Sequence, residues 1–191
     1  MNSYEQYYRE ILYPLQDGVM SIINKLNTPF FLTGGTALSR QYSNHRFSDD
    51  LDLFVNSDAS YQEWVEKIFR ALFNSEVNSG ITIGRSSIRR LKDFSQVFVS
   101  MKDRPEAQLK IELVNDVAEH FGDFEFHPTL GKIDSWRNIL SNKVAALFRP
   151  ARLRRSGGFE PKDISDMRSI LRIWSLARLK NFSWKEIVRE A

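Results

Sequence analysis

Apolar residues recur at helical spacing in the first part of the chain, and short apolar runs follow them. Between residues 4 and 27 they fall three and four apart, which predicts one or two helices broken near Pro14. Residues 30–33 form a short apolar run between a proline and a glycine, which predicts a buried strand. Residues 37–42 predict a short helix, and residues 51–55 predict a second strand.

The middle of the chain combines one amphipathic helix with three strands. Asp58 is placed to cap a helix that runs to about Phe73, because it precedes a stretch with apolar residues on one helical face. Residues 81–90 and 94–101 have the pattern of paired strands, with the polar Lys92 and Asp93 at the turn between them. Residues 108–114 alternate apolar and polar side chains, the pattern of a half-buried strand.

The last third of the chain has a helical pattern. Residues 135–148, 162–179 and 184–190 carry apolar positions at helical spacing, and the loop RPARLRRSGGFEP separates the first two. We therefore predict an α+β fold, a mixed β-sheet flanked by helices with a helical C-terminal part. We divide the chain into a core, residues 1–130, that includes the N-terminal helices, and a helical subdomain, residues 131–191.

Composition excludes several classes of site. Hydrophobic residues make up 42% of the 191, enough for a core, and the absence of cysteine excludes disulfides and thiolate metal sites. The three histidines (His45, His120 and His127) lack the spacing of a zinc site. The first residues lack the basic and apolar regions typical of a signal peptide, and no apolar run approaches about 20 residues, so we expect neither a signal peptide nor a membrane span. We therefore expect a soluble cytoplasmic protein that does not interact with a membrane.

Positive charge is concentrated in one short segment. The net charge is only +3, but RPARLRR at residues 149–155 contains four arginines and no acidic residue. Such a run either contacts the phosphates of a nucleotide or of RNA, or forms an ordinary solvated loop. The sequence leaves both explanations open.

Two aspartates one residue apart lie at the start of the second predicted strand. In an extended segment the side chains of residues i and i+2 point the same way, so Asp50 and Asp52 project from one face, about 7 Å apart at their Cα atoms. Carboxylates this close repel each other unless a cation lies between them, and Mg²⁺ typically binds one or two protein carboxylates together with substrate phosphates. Asp49 should point elsewhere. A turn or helix-capping cluster of aspartates is the alternative.

A glycine pair follows the first predicted strand. Gly34 and Gly35 allow a ligand to approach the backbone closely, and a turn with free N–H groups that leads into a helix binds phosphate. The hydroxyls of Thr36 and Ser48 can bond phosphate oxygens, whose charge Arg46 can neutralise. Taken alone, two glycines after a strand are also typical of a simple turn.

These features together resemble the polymerase-β-type nucleotidyltransferase superfamily, in which a glycine turn holds the triphosphate and a DxD pair holds magnesium. More narrowly, GGTAL at residues 34–38 and RFSDDLDLF at residues 46–54 resemble the AbiEii-type nucleotidyltransferases, the toxins of type IV toxin–antitoxin systems. The resemblance implies an enzyme that uses an NTP and Mg²⁺, with Mn²⁺ as a possible substitute. It also implies a cognate antitoxin as a protein partner.

The last third of the chain extends the resemblance. The family carries a lysine in one helix and an aspartate near the start of the next, and here ILSNKVAALFR contains Lys143 and PKDISDM contains Asp163. The resemblance makes Lys143 a phosphate ligand and Asp163 a catalytic acid, so the C-terminal subdomain contributes to the active site. Lys162 stands where the family usually has arginine. From the residues alone, Lys143 could be a surface lysine and Asp163 a helix cap.

The wider superfamily takes a third carboxylate from a later strand. Glu112, on the polar face of residues 108–114, is the candidate metal ligand here, and Asp116 is a weaker candidate. Asp163 could fill this role instead. A salt bridge in the neighbourhood of Lys110 is the other explanation for Glu112.

The resemblance implies transfer of a nucleoside monophosphate to an acceptor, for which we expect RNA and in particular the tRNA 3′ end. Two other classes remain open. One is a nucleotidyltransferase that modifies a small molecule or a protein. The other is a non-catalytic module of the same fold that binds a nucleotide or RNA.

Overall fold

The computed structural model describes residues 3–43, 46–148, 167, 169–171, 175 and 185, with the side chains of residues 147 and 148 excepted. The predicted helices at residues 162–179 and 184–190 therefore lie largely outside the described part. The few described residues within those two ranges are helical. His45, Asp163 and the arginine-rich segment also lie outside it.

The N-terminal helical region continues through the predicted break at Pro14. It consists of α1 (Ser3–Tyr7), a π-helical segment (Tyr8–Leu12) and α2 (Tyr13–Asn24). Pro14 lies in the first turn of α2, directly after the π-helical segment, in which the Tyr13 N–H donates to the Tyr8 carbonyl oxygen. The break is therefore a change of helix type and not an interruption.

A mixed sheet of seven strands forms the centre of the molecule, in the order β3-β4-β5-β2-β1-β7-β6. The strands are β1 (Phe31–Thr33), β2 (Leu51–Asn56), β3 (Ile81–Arg90), β4 (Phe94–Met101), β5 (Gln108–Asp116), β6 (Glu125–His127) and β7 (Gly131–Ile133). The predicted pairing of β3 with β4 is confirmed. The pattern analysis missed β6 and β7, because three residues are too few to show an alternation. β7 pairs with β1, so the sheet includes residues on both sides of position 130.

Between residues 34 and 148 there are three further helices: α3 (Gly34–Ala37), α4 (Tyr61–Ser75) and α5 (Trp136–Phe148), with a π-helical segment (Leu38–Ser43) after α3. The short helix expected at residues 37–42 thus begins directly at the glycine pair. Ser60 occupies the N-cap position of α4, two residues after Asp58, but its side chain makes no capping hydrogen bond. The Asp58 carboxylate instead accepts a hydrogen bond from the Ser60 N–H at 2.7 Å, within the turn before the helix.

The core lies between α4 and one face of the sheet. Val65, Ile68 and Leu72 of α4 are buried, together with the alternate residues of the central strands, among them Leu53 and Leu113. The residues between those positions point to the opposite face, which is where the polar side chains of β2 and β5 lie. Burial of the apolar side chains on one face of the sheet therefore places the polar side chains of β2 and β5 on the opposite face. None of the described helices is long and apolar enough to cross a membrane.

Candidate active site

Three polar side chains are aligned across three neighbouring strands. Thr33 at the end of β1 pairs with Asp52 of β2, and Asp52 pairs with Glu112 of β5. Paired residues of adjacent strands project from the same face of a sheet, so these side chains share the face opposite α4. The strand register thus brings Asp52 of the DxD pair beside Glu112, the third carboxylate that the sequence analysis proposed, while Asp50 lies just before β2.

A cleft of about 840 Å³ lies on this face of the sheet. This volume is in the range of small-molecule and cofactor sites. The cleft is lined by most of the candidate site residues, namely Gly34, Gly35, Arg46, Ser48, Asp50, Asp52, Glu112 and Lys143. Residues of the glycine turn, β2, β5 and α5 therefore meet in one cleft, although they are far apart in the sequence.

The two glycines allow side chains of the loop before β2 and of β2 itself to touch the turn. Gly34 has a φ of +68°, and a Cβ atom there would overlap the Oδ2 atom of Asp52. A Cβ atom at Gly35 would lie 2.5 Å from Arg46 Nη2 and 2.8 Å from Ser48 Oγ. Glycine is required at position 34 on both conformational and steric grounds. The turn therefore places main-chain atoms beside Asp52, Arg46 and Ser48.

The Thr36 side chain points into the protein interior and not toward the phosphate site for which the sequence analysis proposed it. Its side chain is fully buried, and its hydroxyl donates a hydrogen bond to the Asp50 carbonyl oxygen. The expectation that this hydroxyl contacts phosphate is therefore corrected, because it faces the interior and fixes the backbone at the start of the DxD pair. By contrast, Arg46 reaches the cleft, and its buried Nε has no hydrogen-bond partner among the described residues.

Asp49 is among the residues that line the cleft, and its side chain is bound by the N-terminal helical region. Its carboxylate accepts a hydrogen bond from the Tyr8 hydroxyl, and the Tyr8 ring stacks on Phe47 with 4.5 Å between centroids. Burial, followed by the hydrogen bond to Asp49, raises the pKa of the Tyr8 phenol above its usual value, so the phenol remains a donor. The Gln16 amide of α2 also donates to the Ser48 carbonyl oxygen at 2.9 Å. The N-terminal helices therefore hold the loop that leads into β2.

The surroundings of the Asp52 carboxyl group disfavour its ionised form. Burial is the largest cause, the nearby charges of Glu112 and Asp50 add to it, and together they raise its pKa to about 6. Lys110 and Lys143 act in the opposite direction and only partly compensate. Negative charge on Asp52 is therefore costly as the site stands.

Lys110 is the cleft residue whose role the sequence analysis missed. Its ammonium lies 2.9 Å from Asp50 Oδ2 and 3.0 Å from Glu112 Oε1, and so bridges two of the three carboxylates. The alternation of β5 did place Lys110 and Glu112 on one polar face, which is the only sequence signal for this contact. The salt bridge considered as the explanation for Glu112 is thus present.

The carboxylates fit a hard divalent cation by their chemistry. Asp50 and Asp52 offer oxygen ligands, and the unfavourable charge on Asp52 is the kind that a cation relieves. Among the described residues, no three or more His, Asp or Glu side chains are arranged as a ready-made metal site. Mg²⁺ does not require such a cage, since it commonly uses one or two carboxylates together with substrate phosphates.

Asp116, the weaker candidate for a third carboxylate, is further from the pair. It pairs with Asn56, four residues beyond Asp52 along β2, and its carboxylate accepts a hydrogen bond from the Ala118 N–H at 3.1 Å. Among the described residues, Glu112 is therefore the strand carboxylate closest in register to Asp52. The choice between Glu112 and Asp163 stays open, because Asp163 lies outside the described residues.

A buried polar network supports the back of the site. Asp134, which follows β7, is fully buried and accepts hydrogen bonds from the Thr33 hydroxyl and from the Asn138 amide at 3.0 Å. His120 Nε2 lies 2.9 Å from the other carboxylate oxygen. The network joins the end of β1, next to the glycine turn, to the first turn of α5, which carries Lys143. An aspartate just before a helix has the pattern of a cap, so the sequence did not reveal this network.

The sequence matches the family described as nucleotidyl transferase AbiEii toxin, type IV toxin–antitoxin system, over residues 21–187. The chain belongs to this family. The AbiEii resemblance of the two motifs is thereby confirmed, and so is a nucleotidyltransferase activity that uses an NTP. Membership also implies an antitoxin partner. No curated protein matches the sequence.

Solved structures similar to this AbiEii chain have the same architecture. JHP933 from Helicobacter pylori is 20% identical with a TM-score of 0.51, over 93% of this chain and 87% of that one. MenT4, a nucleotidyltransferase toxin from Mycobacterium tuberculosis H37Rv, is 19% identical with a TM-score of 0.50, over 71% of this chain and 52% of that one. Identities this low show a common fold alone, and they confirm the predicted α+β nucleotidyltransferase fold. Enzymes of this fold generally use divalent metal ions.

Proposed function

We propose that this AbiEii protein is a Mg²⁺-dependent nucleotidyltransferase that transfers a nucleoside monophosphate from an NTP to RNA, with the tRNA 3′ end as acceptor. This activity would make it the toxin of a type IV pair. The observation that carries the proposal is the alignment of Asp52 and Glu112 beside Asp50 and the glycine turn, all in one cleft.

The triphosphate would lie against the glycine turn. Main-chain N–H groups of Gly34 and Gly35 would bind the phosphates, and Arg46, Ser48 and Lys143 line the same cleft. The unsatisfied Arg46 Nε provides a donor that a phosphate oxygen could accept from. Thr36 supports this site through the Asp50 backbone and not by direct contact.

Asp50 and Asp52 would hold the metal ion, with Glu112 or Asp163 as the third carboxylate. When bound there, Mg²⁺ or Mn²⁺ would neutralise phosphate charge and lower the pKa of the attacking hydroxyl. The acceptor hydroxyl oxygen forms a bond to the α-phosphorus, and the bond from that phosphorus to the bridging oxygen of the β-phosphate breaks. Pyrophosphate leaves, and the hydroxyl proton passes to the third carboxylate or to water.

The C-terminal subdomain, residues 131–191, would complete this site. It supplies Lys143 from α5, and Asp163 is proposed as its second contribution. The arginines at positions 149, 152, 154 and 155 support an RNA acceptor, because they form a basic segment close in sequence to Lys143. RNA binding through them would weaken steeply as salt concentration rises.

Labelled transfer is the direct test of the proposed function. The purified chain is incubated with each α-labelled NTP, Mg²⁺ or Mn²⁺, and total bacterial tRNA, beside D50A and D103A. Asp103 is an exposed loop aspartate, so D103A is the matched control for loss of one carboxylate. We expect label in tRNA with the wild type and D103A, and none with D50A. Label in protein or in a small molecule would overturn the RNA acceptor, and equal labelling by D50A would overturn the site.

A further inference from the structure

Lys110 occupies an unusual position for a positive charge in a site proposed to bind a cation. Its ammonium contacts Asp50 Oδ2 at 2.9 Å and Glu112 Oε1 at 3.0 Å. Asp50 is one half of the DxD pair, and Glu112 is aligned with Asp52 in the adjacent strand. The ammonium therefore lies among the oxygen atoms that are expected to face a divalent ion.

The charges of this cluster can be counted. Asp50, Asp52 and Glu112 carry three negative charges when ionised, and Lys110 lowers the sum to −2. A divalent ion experiences both the attraction of the carboxylates and the repulsion of an ammonium that shares two of them. Lys110 is about a quarter exposed, so solvent screens this repulsion only in part.

We propose that Lys110 is an internal counter-cation that occupies Asp50 and Glu112 before a divalent ion binds and competes with that ion for their oxygens. It is thus a positioning residue that sets the metal affinity of the site. The inference rests on the proposed function, because it takes Asp50 and Asp52 as metal ligands. It goes beyond that function, because it assigns a role to a residue outside the GGT, DxD and lysine motifs.

Two features of β5 make this role physically reasonable. Lys110 and Glu112 are separated by one residue of a strand, so the backbone holds both on the same face. The contact of Lys110 with Asp50 joins β5 to the residue just before β2, next to the glycine turn. Once a divalent ion is bound, the lysine side chain is long enough to swing away while its backbone stays in place.

Direct metal binding tests the proposal without requiring catalysis. Mn²⁺ binding to the full chain is measured by the loss of the free Mn²⁺ signal in electron paramagnetic resonance, with no nucleotide present. The variants are K110M, K110Q, K110R and the control K102M, whose lysine contacts the Glu76 carbonyl oxygen far from the cleft. The double variant D50A/D52A reports whether the site itself binds the ion. Melting temperatures with and without Mn²⁺ provide a second readout and show which variants fold.

Removing the ammonium should strengthen metal binding. We expect K110M and K110Q to bind Mn²⁺ about tenfold more tightly than the wild type and to show a larger Mn²⁺-induced rise in melting temperature. K110R and K102M should match the wild type. Unchanged or weaker Mn²⁺ binding by both neutral variants would overturn the proposal and leave Lys110 as a structural brace.

The D50A/D52A variant separates this inference from the proposed function. If it binds Mn²⁺ as tightly as the wild type, the metal site itself is wrong, whatever the Lys110 variants do. If it loses Mn²⁺ binding while K110M and K110Q show no gain, only the role of Lys110 fails.

Discussion

At the scale of single residues, the site depends on close contacts that only certain side chains permit. Gly34 combines a positive φ with a position at which any Cβ atom would overlap the Asp52 carboxylate, so it determines how near the glycine turn lies to Asp52. The pKa of Asp52 is raised, because its carboxyl group is buried beside two other carboxylates. Each of these features leads to a measurement at that residue.

Replacing Gly34 with alanine should disturb the site more than conformational strain alone explains. Gly80 is the matched control, because its φ is +69° but a Cβ atom there would meet nothing within 4 Å. We expect G80A to cost about 1 kcal/mol of unfolding free energy, and G34A to cost at least about 2 kcal/mol and to abolish nucleotide transfer. Urea unfolding and the labelled-transfer assay check this. Equal costs and full activity in both variants would show that the contact with Asp52 is unimportant.

Asp52 should destabilise the metal-free protein at neutral pH. Its pKa rises from the ordinary 3.8 to about 6 in the folded state, so the folded state binds the proton more tightly than the unfolded state. Stability therefore falls as pH rises between those two values and does not recover above the folded-state pKa. In EDTA, D52N should be more stable than the wild type at pH 7.5, by at most about 3 kcal/mol, with little difference at pH 4. A D52N effect that is independent of pH would contradict this account of Asp52.

At the scale of elements, the cleft is held in place from two sides. The N-terminal helices fix the loop before β2 through the Tyr8–Asp49 and Gln16–Ser48 hydrogen bonds. On the other side, Asp134 ties the end of β1 to the start of α5. Hydrogen bonds through Asp134 therefore connect the strand before the glycine turn to the helix that carries Lys143.

The Asp134 network should be among the most sensitive parts of the fold. D134A removes a buried acceptor of three polar side chains and leaves the Thr33 hydroxyl and the Asn138 amide without it. We expect a loss of about 2–4 kcal/mol of unfolding free energy, because unsatisfied buried polar groups are costly. D123A, at an exposed aspartate of the neighbouring loop, should cost less than about 0.5 kcal/mol. Similar urea midpoints for the two variants would contradict a structural role for Asp134.

At the scale of the whole molecule, much of the architecture could be predicted because its signals are long or local. β3 and β4 have the predicted bounds, because β4 alternates along its length and a short polar turn joins the two strands. The glycine turn and DxD pair are contiguous motifs, and the family match over residues 21–187 agrees with them. The order of strands and the alignment of Asp52 with Glu112 depend on pairing between distant segments, which no local pattern contains.

Other parts could not be predicted for physical reasons. β6 and β7 are too short to carry a period, and the Thr36 hydroxyl turns inward because of the backbone path after Gly34. The contact of Lys110 with Asp50 could be predicted only by knowing that β2 lies beside β5. Asp134 was missed because burial of a carboxylate depends on donors that lie 14 and 101 residues away in the sequence.

The most direct test of the central claim is pyrophosphate release by matched aspartate variants. Wild type, D52N and D103N are compared with NTP, total tRNA and Mg²⁺, with circular dichroism to confirm that each is folded. If the aligned carboxylates carry out nucleotidyl transfer, D52N should lose about 100-fold or more of the rate, while D103N retains it. Pyrophosphate release by folded D52N at the wild-type rate would contradict the account, because the reaction would then not depend on the carboxylate around which this cleft is built.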